Sequence, residues 1–307
     1  MTLEFYYVIL LVLIGALVGI SMSFVGQTGQ GVVVPFILLM TGDVLLAIAV
    51  NVINDLIAAS SVAINYIRKK QYYLNKNIFL LILISLVASF FGILLLILTP
   101  LSFIFGWFLP VFIIFLGSTI LLKGFPSSET LKEIVQKISR RFLNNKEENL
   151  NLENLEKSPE NKLNTEEERL ERVIKPYSKL YFLLTLVLGI IIGLNSGMFG
   201  ANSGFIITLV LIVLYGYPLK KSVGTALILS IIMCIFTFST YQILGYLLTS
   251  QLFFNWEFVF YLGIGSFFAG IIVSNFVQKL SAKAMGRGMG ATMIFLGIFS
   301  LIFYFVN

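Results

Sequence analysis

The chain has 307 residues, 58% of them hydrophobic and 12% charged, with a formal net charge of +6 and a mean hydropathy of +0.96. That balance excludes an ordinary water-soluble domain and points to a chain solvated by lipid. Histidine is absent and cysteine occurs once, which removes imidazole catalysis, HExxH zinc sites and disulfide or thiolate clusters, so no enzyme, cofactor or metal is expected.

Apolar runs long enough to cross a hydrocarbon core about 30 Å thick recur at 5–23, 44–67, 77–98, 104–122, 179–197, 221–244, 256–277 and 288–306. Two shorter ones, 32–41 and 205–215, cannot span as helices. No Lys or Arg precedes the first run, so it lacks the pattern of a cleavable signal peptide and is expected to stay with the protein. Outside a central linker at roughly 123–176 the basic residues are Arg68, Lys69, Lys70, Lys76, Lys179, Lys220, Lys221, Lys279, Lys283 and Arg287. All stand at the ends of apolar runs, as the positive-inside bias places them, and not on a nucleic-acid-binding face. The expected fold class is an all-α polytopic membrane protein, multi-pass in the cell membrane.

The first run is followed by SMSFVGQTGQGVVVP, Ser21 to Pro35, which gathers three glycines, two glutamines and a threonine at membrane depth. Backbone amides left unpaired in hydrocarbon cost several kcal/mol each, so such a break must be shielded by protein or line a wet cavity. A second break, FGANSG, follows the run at 179–197. Sliding the chain along itself by 174 residues sets Gly19 on Gly193, Gly26 on Gly200, Gly42 on Gly216 and Tyr72 on Tyr246. Further on, where the register drifts by a few residues, Ser89-Phe90-Phe91 falls on Ser266-Phe267-Phe268 and Phe115-Leu116-Gly117 on Phe295-Leu296-Gly297. The chain reads as two copies of one unit, 1–123 and 178–307. Each has a Gly-interrupted segment, re-entrant or broken, and about three or more spanning helices.

Basic residues orient the copies. The loop at 68–76 carries Arg68, Lys69, Lys70 and Lys76, whereas its counterpart near 245–255 carries none. The loop near 42 has only Asp43, while its partner near 216–221 has Lys220 and Lys221; 99–103 is uncharged, while 278–287 has Lys279, Lys283 and Arg287. Each pair points to opposite sides, so the repeats are expected to be inverted, with both termini outside. The linker, 124–177, holds every acidic residue except Glu4, Asp43, Asp55 and Glu257 and is expected in the cytoplasm. Its first part places Leu131, Ile134, Val135, Ile138 and Phe142 on one helical face, the pattern of an amphipathic helix on the membrane surface. The Asn- and Glu-rich remainder reads as a tether, which inverting the second copy requires in any case, or as a partner-binding segment.

Paired breaks in inverted halves point to a transporter's midplane site. The helix after each break would turn its N-terminal amides to that site, which suits an anion. The candidate binding residues are Gly26, Gln27, Thr28, Gly29, Gln30 and Gly31 in the first half, with Gly200, Asn202, Ser203 and Gly204 in the second. Asn51 and Thr225 are candidates on the neighbouring helices. The competing reading is that the glycines only let helices approach. Asp55 stands about mid-membrane and one turn from Asn51, where a carboxylate is expensive. It is the candidate for proton coupling, against a helix-helix hydrogen bond as a protonated acid. The second copy sets Leu229 at its position, with Thr225 and Ser230 as nearby polar groups that could complete the cavity or bond their own backbone.

The segments GISMSFVGQTGQGVVVPFILLMTGDVLLAIAVNVINDLIAASSVAIN and GLNSGMFGANSGFIITLVLIVLYGYPLKKSVGTALIL resemble the TauE/SafE sulfite exporter family, also called the toluene-sulfonate uptake permease family. Its members carry two similar halves, each opening on a Gly-rich break. VGQTGQG has glutamine where members often have a fuller glycine run, and the long charged linker is not part of the pattern. The resemblance implies a permease for sulfite, organosulfonates or related small sulfur anions, coupled to an ion gradient. A secondary transporter working by alternating access is the leading expectation, with lipid, the anion and protons as its partners. A passive anion channel and a cation transporter of similar inverted design are the alternatives.

Overall fold

The computed structural model describes residues 5–26, 29–99, 111, 114–115, 117–122, 178–200 and 204–306. Among them the chain forms no strand. Its helices are α1 (Phe5–Val25), α2 (Gln30–Thr41), α3 (Val44–Arg68), α4 (Lys76–Leu98), α5 (Ser178–Phe199), α6 (Gly204–Val213), α7 (Leu219–Thr249), α8 (Trp256–Val277) and α9 (Ala282–Val306). Residues 117–122 are also helical. Most of the run at 104–122, and the linker with its expected amphipathic helix, lie outside the described residues. The short apolar runs become α2 and α6.

Helix ends follow local capping chemistry. The Asp43 carboxylate accepts the N–H groups of Leu45 and Leu46 at 2.9 and 3.0 Å, Asn75 accepts that of Ile78, and Asn255 accepts that of Glu257, each tying down amides that a helix start leaves unpaired. Two boundaries differ from expectation. α7 runs on through the apolar Tyr246, Leu247 and Leu248 and stops only at Ser250, whose φ is 56°. The expected loop near 245–255 is thus 250–255. The Ser281 hydroxyl accepts the N–H of Ala284 and starts α9 early, so Lys283 and Arg287 ride on α9 and only Lys279 stays in the connection.

α1, α3, α4, α5, α7 and α8 are long and apolar enough to cross a membrane. Their outward faces expose Phe5, Leu13, Phe79, Phe182, Phe260, Phe268 and Phe276, a surface that lipid tolerates and water does not. α3 and α7 are the most buried of them and pack on each other, α3 also against α2 and α8, and α7 also against α4 and α6. Two peripheral pairs flank this centre. α1 lies along α8, and α4 lies along α5.

Both pairs depend on missing side chains. A Cβ on Gly19 would overlap the Ser266 carbonyl of α8, and one on Gly193 would overlap the Ser85 carbonyl of α4. Gly15 faces Leu262 as Gly19 faces Ser266, and Gly193 faces Ser85 as Gly197 faces Ser89. Within each pair, then, both helices advance in the same direction. Small residues give TM helices the close backbone approach that dispersion needs when lipid removes any hydrophobic drive. Polar side chains add cross-helix bonds: Ser266 Oγ donates to Asn54 Oδ1 at 2.9 Å, Asn65 Nδ2 donates to Ser274 Oγ at 2.7 Å, and Thr237 shares contacts with Ser89 and Ser196. Tyr66 donates from α3 to the Ser23 carbonyl, and Tyr241 donates from α7 to that of Gly197. Each acceptor lies three residues before a break glycine.

Gly19→Val and Gly193→Val are each expected to destabilise the protein by about 1–3 kcal/mol through overpacking. Gly263→Ala, which meets only the flexible end of Ile57, is expected to cost less. Melting of the purified protein in detergent, read by fluorescence-detected gel filtration, checks the order.

Candidate functional site

α1 ends at Val25 and α5 at Phe199. The chain then turns at Gly26, with φ 67°, and at Gly200, with φ 59°. A residue with a Cβ would resist that left-handed backbone by about 1–2 kcal/mol, so glycine is what permits each turn.

Both turns come to rest beside the middle of the two central helices. The Gly29 N–H donates to Asp55 Oδ1 of α3 at 2.7 Å. One turn earlier on α3, Asn51 Nδ2 donates to Asp55 Oδ2 at 3.3 Å and to the Gly200 carbonyl at 3.0 Å. Asn51 therefore bridges the carboxylate that closes the first break and the backbone of the second. The breaks also touch directly: a Cβ on Gly204 would overlap the Gly26 carbonyl and stand 2.8 Å from Ser230 Oγ of α7. A Cβ on Gly26 would sit 3.7 Å from Thr208 Oγ1 of α6. Asn51, Asp55, Thr208 and Ser230 are all fully buried.

Gly26, Gly29, Asn51, Asp55, Gly200 and Gly204 are thus brought to one place. Gln30 begins α2. Gly31 turns away to α9, where its Cβ would lie 3.4 Å from the Leu296 carbonyl. Thr225 does not join the cluster: its hydroxyl accepts the Tyr73 N–H at 2.8 Å and donates to the Tyr73 carbonyl at 3.1 Å, fastening the 69–75 connection to α7. Gln27, Thr28, Asn202 and Ser203 lie outside the described residues.

One correspondence changes. The residue-by-residue match sets Leu229 against Asp55, but the turn from Gly216 to α7 is one residue longer than that from Gly42 to α3. Counted from helix starts, Asp55 is eleven residues beyond Val44, and Ser230 is eleven beyond Leu219. Ser230 therefore stands where Asp55 stands. Thr208, one turn beyond Gly204, is a further polar group that sequence reading passed over. Its only signal is that spacing within an apolar segment.

The electrostatics of the two sides differ. The positive end of α2 meets a carboxylate, and a charge-assisted bond from a backbone N–H is among the stronger ones. At the start of α6 stands a neutral hydroxyl. Ser230 Oγ and Asn51 Oδ1 are buried without a hydrogen-bond partner, an uncommon condition for polar atoms in a folded protein. Among the described residues no group of three carboxylates or thiols is placed to hold a metal.

A protein-family model described as Sulfite exporter TauE/SafE matches residues 11–300. No curated protein and no solved structure matches the chain.

Asp55→Leu strands the Gly29 N–H and is expected to destabilise the protein by about 1–3 kcal/mol. Asp55→Asn keeps an acceptor oxygen and is expected to cost clearly less. Detergent melting of the two variants side by side tests whether this bond holds the first break.

Proposed function

The chain belongs to the TauE/SafE sulfite exporter family, a family of membrane transporters, and from that membership we propose that it carries a small sulfur oxyanion or organosulfonate by alternating access between two inverted halves. The observation that carries the reading is the meeting of the two breaks, with Asn51 bridging Asp55 and Gly200 and Gly204 against the Gly26 carbonyl. Irregular backbone from both halves at one point beside the middle of two buried helices is what a site reached alternately from either face requires. The inverted arrangement is supported by two independent signals. The basic loops alternate in side, and the parallel course of α1 with α8 and of α4 with α5 agrees with the directions those loops assign.

Asp55 supplies the coupling step of this mechanism. Ionised, its carboxylate holds the Gly29 N–H and occupies the positive end of α2. Protonation removes that charge and weakens the bond, so the centre no longer repels an incoming anion. An anion arriving beside an ionised carboxylate is repelled, and its presence favours the protonated acid. The anion and the proton therefore bind together, and raising the pH lowers anion affinity. A carrier of this kind runs in whichever direction the two gradients jointly dictate.

In proteoliposomes, labelled sulfite or isethionate is expected to accumulate under an inward proton gradient in the wild type, with accumulation reduced tenfold or more in Asp55→Asn. Equilibration indifferent to the gradient, without counterflow, would identify a passive channel instead. In a Cys234→Ser background, cysteines at Lys70 and Thr249 are expected to react with impermeant reagents from opposite faces; labelling from one face sinks the inversion.

A further inference from the structure

The two helix starts at the centre carry different chemistry. At the first, the Asp55 carboxylate already accepts the Gly29 N–H, so the anion-binding capacity of α2 is satisfied from within. At the second, Ser230 Oγ lies 2.8 Å from the position of a Cβ on Gly204, at the first residue of the ten-residue α6. Ser230 is 0% exposed and its hydroxyl has no hydrogen-bond partner. Helical geometry leaves the first-turn N–H groups of α6 without intrahelical acceptors, at the positive end of its dipole. A buried hydroxyl with an unmet bond, standing beside the positive end of a helix, is a donor in want of an acceptor.

We infer that the transported oxyanion docks at the start of α6, with its oxygens taking the Ser230 hydroxyl and the first-turn amides of that helix, and that α2 is the counterpart closed by its own carboxylate. The inference rests on the reading of the protein as an anion carrier. It makes the pair of sites functionally unequal: Ser230 binds the anion where Asp55, at the same position along its helix, excludes it. Neutral donors suit this task, because they bind an oxyanion without a fixed cation that would hold it too tightly to release.

The test is titration calorimetry on the full chain in lipid nanodiscs with sulfite, isethionate, sulfate, phosphate and acetate, on wild type, Ser230→Ala and Ser230→Asp. Ser230→Ala is expected to weaken the best-bound oxyanion tenfold or more. Ser230→Asp copies the first half's closure into the second, and is expected to keep or raise the melting temperature while abolishing oxyanion binding. Variants that bind sulfite or isethionate as wild type does would overturn the α6 site and leave the carrier reading standing. Loss in both variants of an oxyanion that contains no sulfur would uphold the site and overturn the sulfur substrate. A wild type that binds none of the five would overturn both.

Discussion

The hydrogen bond from the Gly29 amide to the Asp55 carboxylate is the contact on which the centre of this protein turns. Breaking a helix inside hydrocarbon frees backbone groups that have nowhere to go. The first break is tolerable because a carboxylate on α3 accepts one of those amides and is itself steadied by Asn51. Asn51 in turn reaches the Gly200 carbonyl of the other break, so a single side chain makes each irregular segment part of the other's support. A carboxylate that would be expensive alone is held by an amide, a side-chain nitrogen and the end of a helix dipole. The same set of contacts makes its protonation state consequential for everything around it.

Around that centre, stability comes from closeness. The peripheral pairs bring backbone against backbone at Gly19 and Ser266, and at Gly193 and Ser85, while hydroxyls and amides such as Asn54 with Ser266 bond across the seams. The tyrosine bonds from Tyr66 and Tyr241 fasten α1 and α5 just before each glycine turn. The two central helices differ eleven residues from their starts, where α3 carries Asp55 and α7 carries Ser230.

Much of this was legible in the sequence, and the reason is the bilayer. Hydrocarbon thickness sets the length of the apolar runs, so the six candidate spans could be read directly, and the turns at Gly26 and Gly200 fall where the sequence gathers glycine. Asn51 and Asp55 stood out because polar groups there are rare. Register was harder. Whether a turn has two residues or three leaves no trace in hydropathy, so Ser230 was legible as a nearby polar group but Leu229 was set at its place, and Thr225 looked central when its hydroxyl in fact holds Tyr73. The exact stop of α7 was missed because Tyr246, Leu247 and Leu248 suit a helix and a membrane boundary equally well. Tertiary pairing was not legible at all, since nothing local tells α1 that its partner is α8.

That pairing bears on how the protein is made. Ser23 of α1 donates to the Gly270 carbonyl of α8 across a separation of 247 residues, and Gly15 and Gly19 of α1 face α8 as well. At roughly 5–20 residues per second, α1 waits on the order of 10–50 s after its synthesis for the helix that completes it. During that interval its apolar flank can rest in lipid, but Gly26 also awaits Gly204. The insertion machinery therefore receives a first helix whose main packing partner comes late, and the quality of α8 bears on the fate of α1.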